Sequence, residues 1–433
     1  MQQGAAVSVG AVLGTGVVGL PALGAQIAGP ASLIAWAGLI VLAVPLAATF
    51  AALGSRYPDA GGVSTYVRKA FGPRAASVVG WCFYFAIPAG SPAAALFGAA
   101  YVSAAVGGGH ATEMLTCVAL VAAVTVSNIA GVRVSGRVQF GLAATLVTLL
   151  LVTTILALPH ARAANLHPFA PHGWPAIVSA AGVLVWAFAG WEAVTSLAAD
   201  FRHPRRDLPR ATAIALVIVG VLYFAVAATS ILVLGPTAGT TAAPLSNLLA
   251  VAVGGPVKMI TAVIALLLTL GTMNAYFAGG AKLGAALGRD GALPSWVAKG
   301  SEVGGTARRG LVVEVVFVSI ALVLVQVGLL NLRTSVLATT GAFVLVYLFA
   351  SAAAIKLLPR ATWARRGAVI AFVSAAGLAI IVGPYLAWAV AIALAALTYD
   401  AIASKRRAGA IIVAGRLRPS PKCAPDCVTE TTG

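Results

Sequence analysis

Two apolar segments of the chain combine glycine with a polar side chain, and they are its strongest candidates for chemistry. The first contains Gly14-Thr15-Gly16, and the second contains Gly190 followed by Glu192. Each glycine weakens a helix by roughly 1 kcal/mol, so both segments are predicted to be interrupted helices. An interruption leaves N–H groups free at one helix start and carbonyl oxygens free at the other helix end. Those groups can bind a carboxylate and an ammonium.

The predicted binding residues surround the two interruptions. They are Gly14, Thr15, Gly16 and Val17 in the first segment, and Phe188, Ala189, Gly190 and Trp191 in the second. Glycine permits a close approach to the backbone, Thr15 adds a hydroxyl, and the two aromatic rings can cover an apolar group. Asn274 and Tyr276 are predicted to support the site as polar groups at depth. The alternative for the small residues is tight helix packing.

Glu192 is the more demanding of two acidic residues in apolar segments. It lies eight residues before Asp200, where a run of charges begins, which places it roughly 12 Å into a hydrocarbon core about 30 Å thick. Glu314 lies only five residues after Arg309, and we expect it to reach the surface by snorkelling. A charge at mid-membrane costs about 2.5–3.5 kcal/mol or more. Glu192 is therefore the functional candidate, unless it only holds the interruption as a hydrogen-bonded group.

The elements that must position these residues are membrane-spanning helices. The chain is 60% hydrophobic and only 9% charged, whereas about a quarter of the residues in soluble domains are charged. A helix of about 20 apolar residues crosses the bilayer. We predict an all-α polytopic membrane protein with twelve spans, with Gly383-Pro384 as the break between the last two. The spans are 5–27, 31–54, 77–106, 113–131, 138–158, 175–199, 211–235, 257–287, 310–328, 334–355, 367–383 and 384–402.

The formal charge of +17 indicates orientation and not a nucleic-acid partner. If the amino terminus is cytoplasmic, all of the 28 Lys and Arg residues except Arg162, Lys258 and Arg333 fall in cytoplasmic segments. This distribution follows the positive-inside rule. The sequence thus predicts a multi-pass membrane protein with both termini in the cytoplasm.

The positions of the interruptions indicate an internal repeat. Spans one to five, about 5–158, and spans six to ten, about 175–355, each begin with an interrupted helix. Because five is odd, the second copy enters the bilayer from the opposite side, which gives an inverted repeat. Two extra helices at about 367–402 complete a single transmembrane domain, 1–404. Residues 405–433 are predicted to be a disordered cytoplasmic tail.

The sequence offers little for an enzyme, a metal site or a cofactor. None of the five histidines pairs with another at helical spacing, and membrane hydrolases need a nucleophile with a base or paired ligands. Cys423 and Cys427 form a close pair in the tail, but no second pair completes a zinc site. We therefore expect no enzyme, no metal and no cofactor.

Four groups of residues resemble bacterial amino-acid permeases of the amino acid–polyamine–organocation superfamily. The most specific resemblance is the sixth span with its inner loop, and the others agree with it. The matching segments are 188–197 with 200–210, 57–62 with 66–72, 274–276 with 289–294, and Gly14-Thr15-Gly16. The amino-acid sequence of residues 192–195 most resembles that of the methionine and branched-chain amino-acid exporter branch.

The resemblance implies a secondary transporter with the LeuT-type 5+5 inverted-repeat fold and discontinuous helices one and six. Its substrate would lie between spans one, three, six and eight, and alternating access would move a bundle against a scaffold. Some proton-coupled relatives carry a lysine in the fifth span, but residues 138–158 contain none. Glu192 is then the candidate proton carrier.

The sequence is compatible with three functions. The absence of a deep basic residue favours a neutral, apolar amino acid, exported or exchanged with coupling to protons. A cationic amino acid or a polyamine, with Glu192 as its counter-charge, is the alternative. A nutrient sensor that keeps the permease fold without transport is a third possibility.

Overall fold

A computed structural model describes residues 13–58, 62–131, 136–192, 198, 201, 203–254, 257–299 and 307–416, without the side chains of 136–140, 142 and 406–416. In this part of the chain the secondary structure is helical, with no strand. The α-helices are α1 (Gly16–Ala28), α2 (Ser32–Arg56), α3 (Val63–Phe71), α4 (Pro73–Val106), α5 (Gly109–Ile129), α6 (Gly136–Ala157), α7 (Pro175–Leu184), α8 (Pro204–Leu234), α9 (Pro244–Val253), α10 (Val257–Arg289), α11 (Arg308–Gln326), α12 (Leu332–Leu357), α13 (Trp363–Val382) and α14 (Leu386–Arg416).

Nine segments of the described residues are long and apolar enough to cross a membrane. Two of them, Gly16–Arg56 and Trp363–Lys405, each contain two helices joined by a short turn. The predicted breaker Gly383-Pro384 forms one of these turns, Gly383–Tyr385, and the φ of +58° at Gly383 suits glycine. Pro175–Phe188 is a shorter apolar helix. The number of twelve spans stays a prediction.

The long helix α4 lies at the centre of the packing. It contacts α3, α5, α10, α11, α12 and α14. Small residues allow this close approach: a Cβ atom added at Gly98 of α4 would lie only 2.6 Å from the Thr269 hydroxyl oxygen on α10. Helix α1 packs against α7, which brings the two predicted interruptions to the same part of the molecule.

Two helices were not anticipated from the sequence, and one extends further than expected. Helices α3 and α9 have 9 and 10 residues, too short to cross a bilayer. Helix α14 continues to Arg416, beyond the predicted start of disorder at 405, because its last turns are rich in helix-forming Ala, Lys and Arg. Residues 5–12 of the first predicted span, residues 417–433, and with them Cys423 and Cys427, lie outside the described residues.

Candidate functional site

An internal cavity lies between α1, α4, α10, α12 and the turn that follows α7. The cavity has a volume of about 60 Å³, several times the roughly 10–15 Å³ that one water needs on the same measure. The cavity therefore has room for a small organic molecule. Its lining is mostly apolar, and no lining residue carries a charge; the residues are Gly14, Thr15, Gly16, Ala86, Ile87, Gly90, Ser91, Ala94, Trp186, Ala187, Ala189, Thr272, Met273, Tyr276, Thr339 and Phe343.

The first predicted interruption supplies one wall of the cavity. Residues 13–15 are not helical, and α1 begins at Gly16, so its first-turn N–H groups lie at the cavity. Gly16 packs closely on Trp186, since an added Cβ would lie 3.2 Å from the indole ring. The Thr15 hydroxyl is buried and has no hydrogen-bond partner among the described residues. This wall thus offers a helix N-terminus and an unused hydroxyl.

The structure describes the second interruption as far as Glu192, and this interruption faces the first. The 3-10 helix Val185–Phe188 follows α7, Ala189 is extended with ψ of 139°, and Gly190 has φ of +126°. Glycine is the residue that adopts such a φ without strain. The Tyr223 hydroxyl donates to the Ala187 carbonyl oxygen at 3.0 Å, which fixes the turn from α8.

Glu192 holds this second interruption in place. Its carboxyl accepts a hydrogen bond from the Gly190 N–H at 2.9 Å and another from the Tyr347 hydroxyl of α12 at 3.1 Å. The residue is only 1% exposed and is not among the residues that line the cavity. The Glu192 carboxyl therefore joins the non-helical turn to α12 and lies behind the cavity wall.

The aromatic rings around the second interruption face two different cavities. Val185 and Phe188 lie three residues apart in the 3-10 helix and share one face, whereas Trp186 lies on another. Trp186, Ala187 and Ala189 line the cavity, and Val185, Phe188 and Trp191 line a smaller apolar cavity with Tyr347. Phe188 packs on Trp36 and Tyr223, with ring centroids 6.2 and 5.6 Å apart.

The remaining predicted residues also divide into those that line the cavity and those that do not. Tyr276 lines the cavity, whereas Asn274 accepts a hydrogen bond from the Asn128 side-chain amide at 2.8 Å and links α10 to α5. Val17 is buried in the hydrophobic core and does not line the cavity. Gly190 does not line the cavity either; it follows the lining residue Ala189, and its backbone N–H donates to the Glu192 carboxyl.

Sequence reasoning named no lining residue on α4 or α12, although the resemblance implied a contribution from span three, which is α4. Ser91 and Thr339 line the cavity, but each hydroxyl donates to a carbonyl four residues earlier in its own helix, at 2.7 and 2.9 Å. Phe343 adds an aromatic ring from α12. Prolines 88 and 92 in α4 were the available signal, because a proline in a helix frees the backbone nearby.

Glu314 differs from its expected position. It is fully buried at 0% exposed, and neither carboxyl oxygen has a hydrogen-bond partner among the described residues. The expected snorkelling to the surface is therefore wrong. The physical reason is the small residue opposite: an added Cβ on Gly280 of α10 would lie 2.5 Å from Glu314 Oε1. The space that glycine leaves is occupied by the carboxyl. Within the described residues no cluster of three or more His, Cys, Asp or Glu side chains could hold a metal ion.

Helices long enough to cross a bilayer and a central cavity between two non-helical stretches define a multi-pass membrane protein with an internal cavity. The family model described as "Amino acid permease" matches residues 2–405. The chain is 33% identical over 374 residues to "Uncharacterized amino acid permease YecA" of Bacillus subtilis (strain 168), which covers 85% of this chain and 88% of that protein. The chain belongs to this amino acid permease family, within the amino acid–polyamine–organocation superfamily.

Two further relatives carry names that state substrates. The chain is 38% identical over 231 residues to "L-methionine/branched-chain amino acid exporter YjeH" of Escherichia coli (strain K12), which covers 52% of this chain and 54% of that protein. It is 27% identical over 238 residues to "Branched-chain amino acid permease BcaP" of Bacillus subtilis (strain 168), which covers 51% of each. These matches support amino-acid transport, and not an enzymatic activity, as the function of the family.

Proposed function

We propose that this protein is a secondary transporter of neutral, apolar amino acids that works by alternating access. The observation that carries the proposal is the cavity shared by the two non-helical stretches, with Thr15 and Gly16 on one wall and Trp186 and Ala189 on the other. The proposed transport is proton-coupled export or exchange across a bacterial inner membrane.

The backbone groups at the cavity suit the two charges of an amino acid. The N-terminus of α1 carries about half a positive charge and suits the carboxylate. Carbonyl oxygens of the non-helical stretches 13–15 and 189–190 suit the ammonium. Thr15 adds one hydroxyl whose hydrogen-bonding capacity is unused within the described residues. Recognition of the zwitterion then needs no charged side chain.

The rest of the lining favours an apolar side chain on the substrate. Ile87, Met273 and Phe343 contribute apolar surface, and Trp186 contributes an indole ring. A charged side chain would lose water here without gaining an opposite charge, which costs several kcal/mol. The printed substrates of YjeH and BcaP, methionine and branched-chain amino acids, have the size and polarity that such a lining accommodates.

The fold proposed for this function is the LeuT-type inverted repeat. Twelve spans, repeats at about 5–158 and 175–355, discontinuous helices one and six, and cytoplasmic termini form one consistent arrangement. The positive-inside distribution of Lys and Arg supports the orientation. Glu192 is the proposed proton carrier, since its carboxyl joins the second interruption to α12. A change in the charge of this carboxyl would alter the contact between these two elements.

The cationic alternative has less support from the geometry. A cationic substrate would need Glu192 in the cavity, but its carboxyl already accepts hydrogen bonds from Gly190 and Tyr347 and lies behind the lining. Counterflow in proteoliposomes distinguishes the possibilities. Methionine and leucine are expected to exchange with trapped leucine, and arginine or putrescine is not. Exchange driven better by arginine would overturn the proposed substrate class, and binding without exchange would support a sensor.

The Thr15 hydroxyl provides a specific test of the site. Replacing it in Thr15→Val removes one hydrogen bond to the substrate, worth about 0.5–1.5 kcal/mol, or roughly a two- to twelvefold weaker affinity. The matched control is Thr153→Val, because Thr153 is also buried, with a hydroxyl that has no partner among the described residues, but lies on α6, away from the cavity lining. Equal affinities of the two variants in a substrate-binding assay would contradict the proposed role of Thr15.

A further inference from the structure

Glu314 is a buried acid that the proposed site does not use. It lies on α11, which packs against α4, α5 and α10. Its side chain is fully buried, and both carboxyl oxygens lack a hydrogen-bond partner among the described residues. A carboxylate in such surroundings would be very costly, whereas a neutral carboxylic acid is not. The surroundings therefore suit a carboxyl that carries a proton.

Among the described residues, the groups around Glu314 offer no fixed compensating charge. Neither ion pair in this part of the chain involves Glu314. The Tyr84 hydroxyl of α4 interacts with Glu314 electrostatically, but it donates its hydrogen bond to the Gly310 carbonyl oxygen at 2.7 Å. Apart from the first and last two residues of each neighbouring helix, the other titratable or charged groups are Cys82 and Tyr101 on α4, Glu113 and Cys117 on α5, and Tyr276 and Lys282 on α10. Lys282 is exposed and forms no ion pair with Glu314.

The position of Glu314 connects the cavity with one end of the helix bundle. A Cβ added at Gly280 would lie 2.5 Å from Glu314 Oε1 and 2.7 Å from Ile87 Cδ1, so the carboxyl and Ile87 are neighbours. Ile87 lines the cavity. In the other direction the exposed Arg309 lies five residues earlier on α11, roughly 7.5 Å along the helix axis. One side chain separates the carboxyl from the cavity, and little more than one helical turn separates it from a charged surface.

We propose that Glu314 is a second proton-binding site of the transporter, separate from Glu192. The inference rests on the proposed transport function and adds a second proton site to its proposed coupling. The carboxyl binds a proton while α4, α10 and α11 enclose it, as in this structure. When these helices separate and water reaches it, the proton leaves as a hydrated proton and the carboxylate remains. Return to the enclosed arrangement requires a proton to bind again.

Substrate accumulation driven by a pH difference tests the proposal. Each coupled proton supports up to about tenfold accumulation per unit of pH difference. Glu314→Gln is expected to lower the steady-state accumulation ratio in proteoliposomes by about tenfold at a one-unit difference. Counterflow at equal pH on both sides should persist, because it needs no net proton movement. An unchanged accumulation ratio would overturn the proposal.

The controls separate this proposal from the transport function. Glu113→Gln removes a partly exposed carboxyl from the neighbouring α5 and should leave the ratio unchanged. Glu314→Asp keeps a carboxyl and should restore part of the ratio. Wild-type protein without counterflow for any amino acid would refute the transport function itself, and not the proton site alone.

Infrared spectroscopy covers the case in which Glu314→Gln does not fold. The Glu192→Gln protein retains Glu314, and a protonated carboxyl gives a C=O stretching band distinct from that of a carboxylate. This band is expected in the Glu192→Gln protein and should change when methionine or leucine is added. Absence of the band, or a band indifferent to substrate, would overturn the proposal.

Discussion

Replacement of Gly190 by alanine should destabilise the protein through its backbone alone. Gly190 has φ of +126°, a conformation that an L-residue with a Cβ atom adopts only under strain. Such strain costs about 1–3 kcal/mol. The same distortion would move the Gly190 N–H, which donates to Glu192 at 2.9 Å, and loss of a hydrogen bond to a charged or partly charged group adds about 1.5–3 kcal/mol. We therefore expect Gly190→Ala to lose at least about 1 kcal/mol of stability.

A second glycine provides the matched control. Gly279 lies within helix α10, and an added Cβ there would meet no atom within 4 Å. Gly279→Ala should stabilise the helix by up to about 1 kcal/mol. The same chemical change is thus expected to have opposite signs at the two positions. Denaturation of the purified proteins in one detergent, followed by tryptophan fluorescence, measures both changes against the wild type.

The binding measurement completes this test. Gly190→Ala should also weaken methionine or leucine binding, because Ala189, its neighbour, lines the cavity, while Gly279→Ala should not. If Gly190→Ala were as stable as the wild type and bound substrate equally well, the segment after Phe188 could not have the backbone conformation described here. The reasoning about the second interruption would then be refuted.

Two other substitutions test neighbouring parts of the account. Glu192→Gln should keep exchange at equal pH but lower pH-driven accumulation by about tenfold per unit of pH difference; full pH dependence in this variant, measured in proteoliposomes, would exclude Glu192 as a proton carrier. Asn128→Leu removes the 2.8 Å hydrogen bond to Asn274. It should cost about 0.6 kcal/mol of stability, the average for such bonds in membranes, and leave the substrate affinity unchanged. A weaker affinity in the binding assay would show that Asn274 contributes to the site.

The helical architecture was predictable because the bilayer imposes a length on apolar segments. Helix α10 covers its predicted span and extends it by two residues at one end, and α12 extends its span by two residues at each end. Helix α8 begins seven residues before its predicted span and ends one residue before the predicted end. Helix α3 was missed because it is too short to span, although Val63, Tyr66, Val67 and Ala70 form a buried stripe at helical spacing. A search for short amphipathic helices would have found it.

The candidate site was predictable where backbone chemistry determines it. Glycine and threonine at positions 14–16 and the turn at Ala189 line the cavity, and their role in binding stays a prediction. The orientation of the rings was not predictable from helical spacing, since the helix ends at Phe188 and the chain turns through the extended Ala189 and through Gly190 with its positive φ. Trp186 faces the cavity, and Phe188 and Trp191 face away from it.

Glu314 shows a second limit of sequence reasoning. Distance along the chain from Arg309 placed it near the surface, but burial depends on what the neighbouring helix presents. Gly280 leaves the space that its carboxyl fills. A glycine on a distant helix is not visible as a neighbour in the sequence, so the buried position could be found only from the packing.

The most direct test of the account is substrate protection of a cysteine placed in the cavity. The described cysteines, Cys82 and Cys117, are buried, and they and the tail cysteines would be replaced first. Ala189→Cys lies on the cavity wall and Ala111→Cys lies at an exposed position of α5. Methionine or leucine should slow labelling of Ala189→Cys by a methanethiosulfonate reagent and leave Ala111→Cys unchanged. Equal labelling of Ala189→Cys with and without saturating substrate would contradict a binding site between the two non-helical stretches.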